Sequence, residues 1–233
     1  MKTCIFFTCL LLSIQAIDGQ SFENIKLNNG TTLSYLIETT EISADETSNL
    51  VVALHWGWER SKPVSDTHVI DFHEKFAKKA VKLENTYLVS VKCPYSRWDN
   101  DLSVKAIDEL LEKLLEKYEI DESSMALMGY SAGGIGCWYY LQRNPNNIFK
   151  LVIPIAARQP NETFNLENQS IAIIHGSSDE YVDIKNIRQF FSVLKEVNPN
   201  ANLIVAPGAG HMNFSEYASR ASNILSSLDY KYQ

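Results

Sequence analysis

The stretch 128-MGYSAGGIG-136 places one serine among four glycines, directly after a short apolar run. Within it, Gly129-Tyr130-Ser131-Ala132-Gly133 fits the pattern G-x-S-x-G. Where a buried strand turns sharply into a helix, that pattern holds the serine in a strained backbone conformation with its Oγ above the sheet, and small flanking residues make the room. Five residues alone are weak evidence, since an ordinary glycine-rich turn satisfies them too. A phosphate-binding loop does not fit, because no Lys-Ser or Lys-Thr pair follows and the G-x-G-x-x-G spacing is absent. The surrounding sequence has to decide.

Apolar, β-branched runs occur at 50-LVVALHW-56, 86-TYLVSVKC-93, 124-SMALMGYS-131, 150-KLVIPIAA-157, 170-SIAIIHG-176 and 202-NLIVAPG-208. They are nearly continuous rather than alternating, as strands buried on both faces are. Helical patterns separate them. In 102-LSVKAIDELLEKLLEKY-118, Val104, Ile107, Leu111, Leu114 and Leu115 form one stripe with Glu and Lys opposite. Residues 66–83, 184–197 and 214–228 repeat this less cleanly. Alternating strands and helices predict right-handed crossovers and a mostly parallel α/β sheet flanked by helices. The segment 22-FENIKLNNGTTLSYLIE-38 differs: two strands around Asn28-Asn29-Gly30 predict an N-terminal antiparallel hairpin.

A serine hydroxyl is nearly inert at neutral pH, so it needs a base, and the base needs an orienting group. On this architecture both follow in chain order, in loops beyond later strands. Asp179 comes after the 170–176 strand and a small-residue turn, and His211 after the 202–208 strand and Gly208-Ala209-Gly210. The neighbouring Glu180 and Asp183 are rival acids, although Asp183 precedes a helical pattern and reads better as its N-cap. His55, His68, His73 and His175 are worse placed, lying at strand ends or within a helix. An oxyanion hole needs at least two donors. Ala132 N–H, directly after the serine, is one; Gly57, with Trp58 as the alternative, is the other, from the loop 54-LHWGWER-60.

Elbow, acid turn, terminal histidine and the His55 loop together resemble the α/β-hydrolase superfamily over nearly the whole chain beyond its N-terminal leader. The chain is most similar to small lidless serine esterases of the dienelactone-hydrolase and phospholipase/carboxylesterase type. Two departures stand out. Dienelactone hydrolases carry cysteine where this chain has Ser131, and the usual His-Gly after the first parallel strand here reads His55-Trp56-Gly57. The resemblance implies acyl transfer through Ser131, Asp179 and His211 with no metal or cofactor, and a small-molecule ester as substrate. Only a dozen residues join the fourth and fifth of the apolar runs, too few for a lid. Trp56, Trp58, Tyr95, Trp98, Tyr130 and Tyr181 cluster near the expected pocket and are its candidate lining. A peptidase of the prolyl-oligopeptidase clan shares this core but normally carries a screening domain. A catalytically inactive binding protein of the same fold is the rival from another class.

Composition narrows the setting. Residues 1–19 run from basic Lys2 through an apolar core at Cys4–Ile14 to small residues, the layout of a secretory signal peptide, which leaves 20–233 as a single domain. No run is long enough for stable membrane insertion, and a net charge of −7 without a basic cluster argues against nucleic acid. In an oxidising compartment Cys93 and Cys137 admit one disulfide, with two buried thiols as the other reading. Sequons at Asn29, Asn161, Asn168 and Asn213 add mild support for export. Oligomeric state is not encoded in any pattern of the chain.

Overall fold

The computed structural model describes residues 22–40, 47–59, 61–95, 97–144, 148–161, 166 and 169–226. The segment 1–19, expected to be a signal peptide, and the sequon at Asn168 lie outside the described residues. Eight strands form one sheet: β1 (Glu23–Lys26), β2 (Thr32–Thr39), β3 (Ser48–Leu54), β4 (Thr86–Val91), β5 (Ile120–Tyr130), β6 (Leu151–Ile155), β7 (Ser170–Gly176) and β8 (Ala201–Ala206). Their order is β1-β2-β4-β3-β5-β6-β7-β8. β1 and β2 pair antiparallel, β2 joins β4 antiparallel, and every later pairing is parallel. All six apolar runs are strands, and the expected hairpin forms. Its loop is longer than a two-residue turn: Lys26 pairs with Thr32, and Gly30, at φ 83°, closes residues 27–31.

Helices cover both faces. α1 (Asp66–Phe72), a π-helical turn (His73–Ala77), α2 (Lys78–Ala80) and α6 (Phe214–Leu225) lie on one face, and α3 (Asp101–Lys117), α4 (Ala132–Arg143) and α5 (Ile184–Val197) on the other. In β3, Val51 and Ala53 point into the first layer and Leu50, Val52 and Leu54 into the second, all fully buried. A central strand with a helix layer on each side has no wet face, which is why its sequence does not alternate. Helix starts follow local chemistry: Ser65, Asn100 and Asp183 each accept a backbone N–H of the following first turn. The predicted helix over 66–83 is interrupted at the π turn, where Lys78 N–H bonds His73 O five residues back. That extra residue turns His73 toward the sheet.

Candidate active site

The C-terminal ends of β3, β5, β6, β7 and β8 converge on one edge of the sheet, and every chemistry-bearing loop starts there. β5 ends at Tyr130, Ser131 follows with φ 53° and ψ −110°, and α4 starts at Ala132. A positive φ on a residue with a Cβ costs of order 1–3 kcal/mol. Ser131 N–H donates to Ile155 O at 2.8 Å and Ser131 O accepts from Ile135 N–H at 3.0 Å, so neighbours on both sides hold the strained residue. None of the four glycines of the stretch has positive φ. They are there for close approach instead. A Cβ on Gly133 would lie 2.0 Å from Leu54 O, and one on Gly129 2.2 Å from Gly133 O. The glycines let α4 sit against the strands, and the serine takes the strain.

Ser131 Oγ lies 2.9 Å from His211 Nε2, and His211 Nδ1 lies 2.9 Å from Asp179 Oδ2. Asp179 is buried, and its other oxygen accepts Tyr181 N–H and Val182 N–H, both at 2.9 Å. With Nδ1–H donated to the carboxylate, Nε2 is left to accept the serine proton. Asp183 is not part of this array: it is exposed and accepts Lys185 N–H at the start of α5. Glu180 is not the acid partner either, but it holds the base, accepting His211 N–H at 2.9 Å. That bond keeps the Glu180 carboxyl below its ordinary range. The His211 carbonyl accepts the Tyr130 hydroxyl. His175, fully buried in β7, bonds Val182 O at 2.8 Å and lies 3.6 Å from Asp179 Oδ2. Burial holds His175 below its usual pKa, so the neutral ring donates from Nε2 and ties down the acid turn. In the sequence Tyr130 reads only as pocket lining, Glu180 as a rival acid and His175 as a poorly placed base, so the positioning roles of their side chains emerge from the structure.

The loop after β3 is pinned from beneath. His55 is fully buried, its Nδ1–H bonds Trp56 O at 2.7 Å, and its Nε2 accepts Cys93 N–H at 3.3 Å. Burial lowers its pKa to about 3, so the ring is neutral in one tautomer. His68 Nε2 adds a second bond to Trp56 O at 3.2 Å. Gly57 then faces the elbow, where an added Cβ would come 3.6 Å from Ala132 Cβ.

A cleft of ≈ 430 Å³ opens over Ser131 and His211. Of the six aromatic candidates, Trp56, Tyr130 and Tyr181 line it, and Trp56 stacks on Phe214 at 4.8 Å. The other three do not. Trp58 packs edge-on against His55 at 5.0 Å, Trp98 is buried beneath with its Nε1–H on His55 O, and Tyr95 faces away to accept a hydrogen bond from Asn29. Each stands in a loop that follows a strand of the sheet, but its side chain is turned away from the cleft. Ile135, Ala156, Arg158, Val182 and Met212 line the cleft unforeseen. Of the two readings open for the cysteines, the structure has the second: Cys93 and Cys137 are buried free thiols. Cys93 Sγ donates to Tyr95 O at 3.0 Å, and burial raises both thiols, Cys93 to about 12.

A second Ser-His-carboxylate array shows what geometry alone is worth. Ser90 Oγ lies 2.8 Å from His73 Nδ1, and His73 Nε2 lies 2.9 Å from Glu38 Oε2. Ser90, however, is 0 % exposed, so no substrate carbonyl can reach it. This array cross-links β2, the π turn and β4, and Lys78 completes it at 3.0 Å from Glu38. Access separates the two.

Comparison with known proteins bears on the family and the fold. The model of the phospholipase/carboxylesterase family matches residues 97–228, a span holding Ser131, Asp179 and His211. Among solved structures, a thermostable esterase is 20% identical with a TM-score of 0.75 over 92% of this chain and 63% of its own, so the chain spans under two thirds of that protein. Est1E from Butyrivibrio proteoclasticus is 13% identical with a TM-score of 0.62, covering 90% of this chain and 99% of its own. XC6422 from Xanthomonas campestris, an α/β serine hydrolase without lid, is 15% identical with a TM-score of 0.61, covering 93% and 96%. At such identities these neighbours establish the fold, and no curated protein matches the chain by sequence. With the family model spanning more than half of the residues and the sheet order matching its fold, the chain belongs to the phospholipase/carboxylesterase family of α/β hydrolases.

Proposed function

We propose that the protein is a serine carboxylesterase acting on small or medium acyl esters through an acyl-enzyme. One observation carries the reading: the Ser131–His211–Asp179 chain of 2.9 Å bonds ends on a serine that lines an open cleft. Ser131 Oγ attacks the ester carbonyl carbon while His211 Nε2 takes its proton. The negative charge that builds on the carbonyl oxygen is met by Ala132 N–H, at the N-terminus of α4, and Gly57 N–H across from it. Such a donor pair contributes about 10²–10³ per donor in turnover. Asp179 stabilises the imidazolium through Nδ1–H. As the tetrahedral species collapses, His211 returns the proton to the departing alkoxide, and a water activated by the same imidazole then hydrolyses the acyl-enzyme. Gly57 is favoured over Trp58 because Gly57 lines the cleft and the Trp58 indole is turned against His55. Export is part of the proposal, supported by the order of residues 1–19, and N-terminal sequencing of secreted protein tests it.

A fluorophosphonate probe should label the folded protein on the peptide that holds Ser131 and leave buried Ser90 unmodified, and Ser131→Ala should abolish labelling. Short p-nitrophenyl esters should turn over far faster than proline anilides. A folded wild type that takes no label would make this an inactive member of the fold, and anilides as good as esters would make it a peptidase.

A further inference from the structure

We propose that Arg158 orients the substrate and that the preferred ester carries a carboxylate. The inference rests on the esterase reading of the cleft. Ser131 and His211 are bonded to each other there, and the Tyr130 hydroxyl is spent on the His211 carbonyl. Trp56, Phe214, Tyr181 and Met212 add aromatic and apolar wall. What remains is Arg158, the one permanently charged side chain lining the cleft among the described residues. Arg97, Arg143 and Arg220 are each paired to a carboxylate, whereas Arg158, like Arg188 on α5, has no such partner among the described residues, and of these two only Arg158 lines the cleft. It is an exposed cation with no counter-charge among the described residues, at a cleft whose remaining wall is mostly aromatic and apolar.

The backbone delivers it there at some cost. Ala156, the residue after β6, has φ 47°, and its N–H is held by Ile174 O at 2.9 Å. Ala157 is buried, and its Cβ fills the space that a side chain on Gly134 would need. Strain of order 1–3 kcal/mol at a non-glycine residue persists where surrounding structure enforces it. Here it bends the strand end so that Arg158 stands where the cleft meets an adjoining groove of ≈ 390 Å³ lined by Gln142, Gln159 and Asn161. The acidic side chains bordering these spaces are engaged elsewhere: Asp99 with Arg97, and Glu180 with His211 N–H. With a net charge of −7, the protein repels anions at a distance, and the Arg158 guanidinium supplies a local donor fork that can take one carboxylate in bidentate fashion. The substrate class is therefore a half-ester of a dicarboxylic acid, or an ester whose alcohol bears a carboxylate, with its apolar part on Trp56 and Tyr181.

The test compares wild type, Arg158→Gln and Arg158→Lys on three esters: p-nitrophenyl hemiglutarate, p-nitrophenyl valerate and 4-(butyryloxy)benzoate. The expected result is that Arg158→Gln lowers kcat/KM on a carboxylate ester about tenfold or more relative to valerate, through KM, with valerate turnover within about twofold and partial recovery in Arg158→Lys. The anionic ester that responds tells whether the carboxylate belongs to the acyl or the alcohol side. Equal losses on charged and neutral esters, or no loss on either, overturn the proposal. If wild type hydrolyses none of them, the esterase reading is what fails. Calorimetry of monomethyl glutarate with Ser131→Ala then decides Arg158 separately: binding abolished by adding Arg158→Gln supports it, and no binding, or binding that survives, overturns it.

Discussion

The hydroxyl of Tyr130 donates to the backbone carbonyl of His211, so the residue beside the elbow serine holds the loop of the imidazole bonded to that serine. Tyr130 is fully buried, and burial pushes its phenol far above the usual range, keeping it a donor at any working pH. Glu180 grips the same residue from the other side through His211 N–H. The base is thus positioned by both of its backbone groups.

Tyr130→Phe should therefore fold and yet lose turnover. The ring still packs among Trp56, Phe76 and Phe214, and only the hydrogen bond is removed. A net loss of about 1 kcal/mol in holding His211 corresponds to roughly fivefold in kcat. Steady-state kinetics on a short ester, beside a melting curve, check it. Unchanged kcat would mean that Glu180 alone suffices.

Asp179→Asn should reduce turnover by about 10⁴ while leaving a folded protein, because an amide favours the wrong imidazole tautomer. Asp183→Asn should be nearly silent, since asparagine caps a helix about as well as aspartate and Asp183 serves only Lys185 N–H. An active Asp179 variant with a crippled Asp183 variant would reverse the assignment.

Two glycine-to-alanine changes should separate packing from tolerance. Gly133→Ala puts a Cβ 2.0 Å from Leu54 O, a backbone atom of the central strand, so α4 must lift off the sheet; a loss of about 3 kcal/mol or more, or insoluble protein, is expected. Gly57→Ala meets only Ala132 Cβ at 3.6 Å and should fold normally. Denaturant midpoints compare them. Equal stability of the two variants would contradict the close packing of the elbow.

Acid should destabilise the protein through His55 well before its carboxylates titrate. The folded state keeps His55 neutral down to about pH 3, while the unfolded chain takes up a proton near pH 6.5. Stability from this residue is complete above pH 6.5 and falls as pH drops from there toward 3, by about 2 kcal/mol between 6.5 and 5. His175, also lowered by burial, adds a loss of the same sign. Urea midpoints measured across that range in wild type and His55→Gln test this, the variant giving the shallower slope. Parallel slopes would show that His55 is protonated in the fold.

Much of this molecule was legible along the chain because its signals are local. Unbroken apolar runs such as 170–176 announce strands buried on both faces, and their alternation with amphipathic segments such as 184–197 leaves few topologies. Ser131, Asp179 and His211 stood out because each comes soon after a strand, in or behind a glycine-rich or small-residue turn, in the order this architecture requires. Asp183 was separable from Asp179 for the same kind of reason, a cap being a matter of the next three residues.

What the chain could not disclose is the direction in which a side chain leaves the backbone once distant segments pack. Trp58 adjoins Gly57 just as Trp56 does, and Trp98 stands in the loop after β4, yet Trp58 lies against His55 and Trp98 beneath it, and of the three only Trp56 faces the cleft. The sequence leaves a Cys93–Cys137 disulfide and two buried thiols equally open; packing makes each thiol free and buried. The Glu38–His73–Ser90 array joins residues far apart in the chain and has the same residue types as the Ser131 array, but its serine is buried away from solvent. Local propensity and hydrophobic period set the strands, helices and turns of this protein. Which groups share a cavity, and which reach solvent, is settled by long-range packing, where a rotation of one side chain changes its neighbours without changing its sequence.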